Sequence, residues 1–139
     1  MKTVYKYLII LVASFNYVYA GGITFKSNEE KIGFCKMLAE EMAQMMPVRA
    51  DKISYLNSVV CTPSNPPTFV YDYVFELDSD QHLDAMMRSI RINDKEQVNL
   101  WCTDPQKRVI LKDFNVEAKT RDINGKHLNT RKIIFNDCK

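Results

Sequence analysis

A cysteine closes each end of the segment from Trp101 to Cys138, and two strong local signals lie between them. Asp104-Pro105 places an acidic cap before a proline at the first helical position, the arrangement that starts a helix. Asn124-Gly125 supplies the positive φ values that a tight reversal between two strands requires. The segment therefore predicts a short helix burying Val109, Ile110 and Phe114. A hairpin follows, with strands over Asn115–Arg121 and His127–Phe135. The rest of the chain has to be arranged around that unit.

Cys35 and Cys61 complete a set of four cysteines in 139 residues. There is no Cys-x-x-Cys pair and no second ligand type at finger spacing. The set reads as two structural disulfides rather than a redox dithiol or a metal centre. Three pairings are open; Cys102–Cys138 with Cys35–Cys61 is preferred, because each bond then staples one half of the chain. Disulfides imply export, and the N-terminus agrees. Lys2 and Lys6 precede an apolar run from Tyr7 to Phe15, and Val18-Tyr19-Ala20 ends in a small residue. That is the pattern of a secretory signal peptide over residues 1–20, cut after Ala20. The apolar run is shorter than the roughly 20 residues that span a bilayer, and no cysteine follows the cut to carry a lipid. Residues 21–139 are then a single domain, periplasmic or extracellular.

Loss of Lys2 and Lys6 from 19 basic and 17 acidic residues leaves the signs balanced overall. They are unevenly spread: 5 basic against 9 acidic residues from Gly21 to Asp80, 12 against 8 from Gln81 to Lys139. Such a dipole would steer an anionic partner toward the C-terminal half.

Helical periodicity starts after Ser27, which has capping-box spacing to Glu30. Ile32, Cys35, Leu38, Ala39, Met42 and Met45/Met46 recur on one face, predicting a helix from Asn28 to Met46 that Pro47 ends. Asp51 to Val60 reads as a strand, and Thr62 to Pro67, with three prolines, as a loop. From Thr68 to Leu77, Phe69, Tyr71, Tyr73 and Phe75 share one face of a strand, with Val70 and Val74 on the other. Ser79 or Asp80 caps a further helix carrying Leu83, Met86, Met87 and Ile90. Asn93 and Glu96 repeat a cap-box pattern, predicting a new helical start that runs to Cys102. The order α-β-β-α-α-β-β predicts an α+β domain, with the N-terminal helix and the central helical segment packed on an antiparallel sheet of about four strands.

Catalytic signatures are missing from the pattern. His82 and His127 stand alone, there is no nucleophile elbow and no phosphate-binding glycine loop. Asp78, Asp80 and Asp84 lack the glycine and closing glutamate of a calcium loop. No cofactor or metal is expected. Lys119, Arg121, Lys126, Arg131 and Lys132 make the hairpin the most basic stretch and the candidate binding surface for an unknown protein or anionic ligand. Charges that protect an edge strand are the plainer reading of the same residues. Phe135 is the one aromatic on the hairpin strands, so nucleic acid is not expected.

Cys102-Thr103-Asp104-Pro105, Arg108, Ile110-Leu111, Asp122-x-Asn124-Gly125 and the closing Asp137-Cys138 together resemble a widespread set of small exported bacterial proteins, most of them uncharacterised. Upstream, Met46-Pro47-Val48-x-x-Asp51, Leu56-x-Ser58-Val59 and Tyr71-x-Tyr73 are similar too. The resemblance implies the Cys102–Cys138 pairing and an exported life. A looser similarity in layout extends to pilotins of the type II secretion system, which bind and escort a partner. The chain departs from the set at Phe114, where glycine is frequent, and in carrying Cys35 and Cys61. The expectation is an exported, non-enzymatic binding protein. The alternatives are a small secreted hydrolase using paired carboxylates, a pilotin-like accessory protein, or an enzyme inhibitor that inserts the Thr62 to Pro67 loop.

Overall fold

The structure, a computed structural model, describes residues 24–139; the signal peptide expected over residues 1–20 lies outside the described residues. Ser27 accepts a hydrogen bond from the Glu30 amide, and Glu30 accepts one from the Lys26 amide. These bonds satisfy donors that a helix start otherwise leaves open, and α1 runs Asn28–Ala43. It ends at Ala43 rather than Met46, because the residue before Pro47 is disfavoured in helical conformation and the last turn unwinds ahead of it. Met45 is accordingly 45 % exposed. Cys35, Leu38, Ala39 and Met42 form the buried face.

The remaining elements are β1 (Val48–Arg49), β2 (Ser54–Thr62), β3 (Thr68–Phe75), α2 (Ser79–Thr103), α3 (Pro105–Ile110), β4 (Asn115–Arg121) and β5 (His127–Ile133). A 3-10 turn, Phe135–Cys138, follows where the last strand was expected to continue. The sheet has five strands in the order β1-β2-β3-β4-β5. The strand not foreseen is the two-residue β1, too short to show a period in sequence. β2 starts at Ser54 rather than Asp51, since Asp51 accepts a hydrogen bond from the Ile53 amide and holds a turn there.

The α+β class is as expected, with one difference in direction. β3 and β4 are parallel, Phe69 opposite Val116, Tyr71 opposite Ala118 and Tyr73 opposite Thr120, while the other neighbours are antiparallel. The helical connection through α2 and α3 carries the chain back to the end of the sheet where β3 began, which parallel neighbours require. Asn115 there donates its amide to the Pro67 carbonyl (2.9 Å).

The central helical segment, 25 residues long, is kinked at His82 and does not restart at Asn93. No glycine or proline lies in it, and the Asn93–Glu96 pattern is carried inside the continuous helix that follows the kink. Its cap is Asp78, which accepts from the Asp80 amide, and its one non-helical residue is His82 near the start. In α3, Ile110 is buried but Val109 is 40 % exposed, contrary to expectation.

Both long helices lie on the aromatic face of the sheet. α1 packs over β2 and α2 over β5. A bulge at Asn57, between Leu56 and Ser58, resets the pleat, so that Leu56 opposes Tyr73 and Val59 opposes Tyr71 on this same face. Phe114 is fully buried and touches Phe25, Phe34 and Phe69 with ring centroids 5.3–5.9 Å apart across the four-ring cluster. That cluster is what glycine at 114 would not supply. On the opposite face Val70 and Val74 are also buried. The cystines are Cys35–Cys61, tying α1 to β2, and Cys102–Cys138, tying the end of α2 to the final turn.

Candidate docking cleft

Along α2 the residues that face the sheet are Ile90, Asn93, Asp94, Gln97 and Trp101, spaced as one helical face. Its two apolar ends, Ile90 and Trp101, are 4 % and 3 % exposed. Its middle is polar, and it stands over the small side chains Ala118 and Thr120 of β4. The helix is therefore pinned at two points and leaves free space between them. The result is a cleft with about 80 Å³ of free volume. Its floor is Tyr71, Tyr73 and Phe75, and Ala50, Asp51 and Ser54 form one lip.

Several polar groups in this cleft are not satisfied by the fold. Tyr71 is 5 % exposed, and neither its hydroxyl nor that of Tyr73 has a hydrogen-bond partner among the described residues. Burial pushes the Tyr73 phenol up to about 12 and the Tyr71 phenol higher still, the latter also raised by its neighbour Tyr73. Both are neutral donors at physiological pH. Arg131, from β5, has its Nε buried without a partner. Beside it, burial raises the Asp94 carboxyl above its ordinary value, against the pull of the Asn129 hydrogen bond (3.1 Å) and the Arg131 charge. Buried polar groups normally find partners, and in this cleft the Arg131 Nε is the described buried atom that does not.

The position of α2 over the cleft depends on Asp122. This carboxylate is 1 % exposed and accepts four hydrogen bonds. Two come from the Ser79 amide and hydroxyl (3.2 and 2.6 Å). The Asn124 and Lys126 amides give the others (2.9 and 2.8 Å). It thus fixes the start of α2 to the hairpin turn, where Gly125 takes φ +84°.

The five hairpin cations do not form one surface. Strand alternation turns Lys119, Arg121 and Lys132 to the face away from the helices, while Arg131 enters the cleft. Lys119 and Lys132 lie 3.6 and 3.8 Å from Glu117, Arg121 3.3 Å from Asp72, and Lys126, in the turn, 3.1 Å from Asp80. His82 is exposed, and His127 Nε2 is 3.1 Å from the Thr130 hydroxyl. Among the described residues no group of three or more His, Cys, Asp or Glu side chains is placed to hold a metal ion, and no helix is long and apolar enough to cross a membrane. The loop between β2 and β3 is held down by Asn28, which donates to the Ser64 carbonyl (3.1 Å).

Sequence reasoning missed the cleft. The available signal was the polar trio Asn93, Asp94 and Gln97 on the face that also carries Ile90 and Trp101.

The architecture defines a class of small disulfide-braced α+β domains, a mixed sheet with both long helices on one face. No protein-family model and no curated protein matches the chain. Solved structures do. A protein from Pseudomonas aeruginosa described as secreted is similar with a TM-score of 0.67 at 10 % identity, covering 84 % of this chain and 100 % of its own. The type 2 secretion system pilotin EpsS from Vibrio vulnificus follows at TM-score 0.57 and 11 % identity, covering 81 % and 94 %. The type II secretion system pilotin AspS from Vibrio cholerae has TM-score 0.54 and 12 % identity, covering 80 % and 94 %. At such identities the likeness is one of fold.

Proposed function

We propose that the chain is an exported interaction protein that holds a segment of a partner protein, seating one apolar side chain in the cleft between α2 and the sheet. The observation that carries this reading is the cleft itself, floored by Tyr71, Tyr73 and Phe75 and lined by Arg131, whose Nε is buried without a partner. A free volume of about 80 Å³ suits a single side chain and is far smaller than the clefts of several hundred Å³ that enclose drug-sized ligands. Export rests on the signal peptide read over residues 1–20 and on the two cystines. The structural likeness to pilotins supports an accessory role beside a larger envelope assembly, in the periplasm or outside the cell. In this reading the hairpin's share of an anionic-partner surface falls to Arg131, the one of its five cations that lines the cleft.

Ala118→Leu tests the reading by filling the cleft from its floor. A tagged wild-type chain should retain a partner from an envelope extract, and Ala118→Leu should lose it by ten-fold or more while melting cooperatively. A folded Ala118→Leu chain that retains the same partner as well as wild type contradicts the proposal.

One observation favours the hydrolase alternative: Asp51 and Asp94 share the cleft, and Asp94 is held toward its protonated form. Paired carboxylates in different environments are how acid and base roles separate. That alternative expects turnover of simple aryl glycosides or esters that both Asp51→Asn and Asp94→Asn abolish. Equal background rates for wild type and both variants exclude it.

A further inference from the structure

Asp94 and Arg131 also line a second, more open groove along the adjoining flank of α2, with about 580 Å³ of free volume. Arg91, Lys95 and Lys139 stand along it, and the Cys102–Cys138 cystine lies at one end. Its cationic side chains, Arg91, Lys95, Arg131 and Lys139, outnumber its carboxylate side chains, Asp94 and Asp137. Arg91 and Lys95 are exposed and have no carboxylate partner among the described residues. The two acids also accept hydrogen bonds inside the chain. Asp137 accepts from the Ile134 amide (2.9 Å), and Asp94 accepts from Asn129. A cationic groove thus opens directly onto an apolar cleft, with Arg131 common to both.

We propose that this groove is an anion subsite of the docking cleft, and that its occupant is an acidic polypeptide segment whose carboxylates lie along Arg91, Lys95 and Arg131 beside the apolar side chain in the cleft. The inference deepens the reading above and rests on it. Arg91 and Lys95 are four residues apart on one helix, about 6 Å along its axis. Alternate residues of an extended chain repeat at about 6.6 Å. Two acidic side chains spaced by one residue therefore match the two cations. A lipid is a poorer fit, because the cleft has room for one short apolar group and none for an acyl chain.

The test uses peptides rather than an unidentified partner. Short random peptides displayed on phage are selected on the purified chain, and the best are synthesised for fluorescence polarisation. The selected sequences should place an apolar residue close to two acidic ones. Arg91→Glu with Lys95→Glu, both at exposed positions, should weaken binding about ten-fold or more. Replacing the peptide's Glu by Gln should do the same to wild type. Salt should weaken the complex as the screening length falls from about 10 Å at 0.1 M to about 3 Å at 1 M. A peptide with Lys in place of Glu should regain affinity for the doubly reversed chain.

Selected peptides without acidic residues, or equal affinity for wild type and the double variant, overturn the inference. Loss in Ala118→Leu would then still uphold the cleft. Loss in the double variant with none in Ala118→Leu leaves the groove standing and removes the cleft. If phosphatidylglycerol vesicles bind through Arg91 and Lys95 and displace the peptide, the occupant is an anionic lipid and the inference fails. A selection that yields no binder counts against groove and cleft together.

Discussion

Four hydrogen bonds converge on the buried carboxylate of Asp122, and their strength depends on its charge. The Ser79 hydroxyl contributes most, with the Lys126, Ser79 and Asn124 amides, and together they outweigh burial and hold the group down to about 2. A carboxyl depressed in the fold stabilises it above the unfolded value, about 3.9, and loses that contribution as pH falls through the folded one. Asp122→Asn should therefore melt below wild type by a constant margin above about pH 5. The margin should shrink toward zero as pH approaches about 2, followed by circular dichroism at a series of pH values. A margin independent of pH would mean that packing rather than charge holds the turn. The residue was legible only as part of an Asp-x-Asn-Gly turn. Its partner Ser79 lies 43 positions away, a distance that no local pattern can cross. Phe114 is a similar case: in sequence it ends an apolar pattern, and in space it is the meeting point of three other rings.

Among the elements, the hairpin and α1 were readable because their determinants are local: a cap, a period, an Asn-Gly reversal. The parallel pairing of β3 with β4 was not, since it follows from where a long connection ends. α2 shows how a true capping pattern can mislead. Asn93 and Glu96 sit at cap-box spacing, yet nothing breaks the helix between them and the residues before. Their neighbourhood instead gives the helix a polar stretch on its sheet-facing side, and the cleft exists because of it. The far end of α2 is held by Cys102–Cys138, which closes a 36-residue separation. By chain entropy, a loop of this size stabilises the fold by about 3–4 kcal/mol. Cys102→Ser with Cys138→Ser should lose an amount of that order in denaturant titration. Hydrogen exchange should rise first in the last turn of α2 and in the Phe135–Cys138 turn. Uniform loosening across β2 and α1 would contradict this assignment, because the Cys35–Cys61 bond secures that side independently.

For the whole molecule, the unequal charge of the two halves is partly consumed by folding. Lys31–Asp113, Arg121–Asp72 and Lys126–Asp80 join an acidic half to a basic one at 3.1–3.3 Å. Among the cations that folding leaves without partners on the α2 side are Arg88, Arg91 and Lys95, beside the buried Nε of Arg131. Exposed ion pairs of the kind on the outer sheet face contribute little to stability, about 0–1 kcal/mol each. The cystine framework and fold class were visible in the residues. The cleft was not, because it is a gap between elements whose spacing only the assembled sheet determines.

Site-specific photocrosslinking in the cells that make the protein tests the cleft most directly. A benzoylphenylalanine is placed at Asp51 on the lip of the cleft, where it does not fill the space, and in a separate chain at Val60, which is 52 % exposed on the opposite face of the sheet. A discrete crosslinked partner is expected from position 51 and none from position 60. A partner captured from position 60 with position 51 silent would contradict the docking cleft.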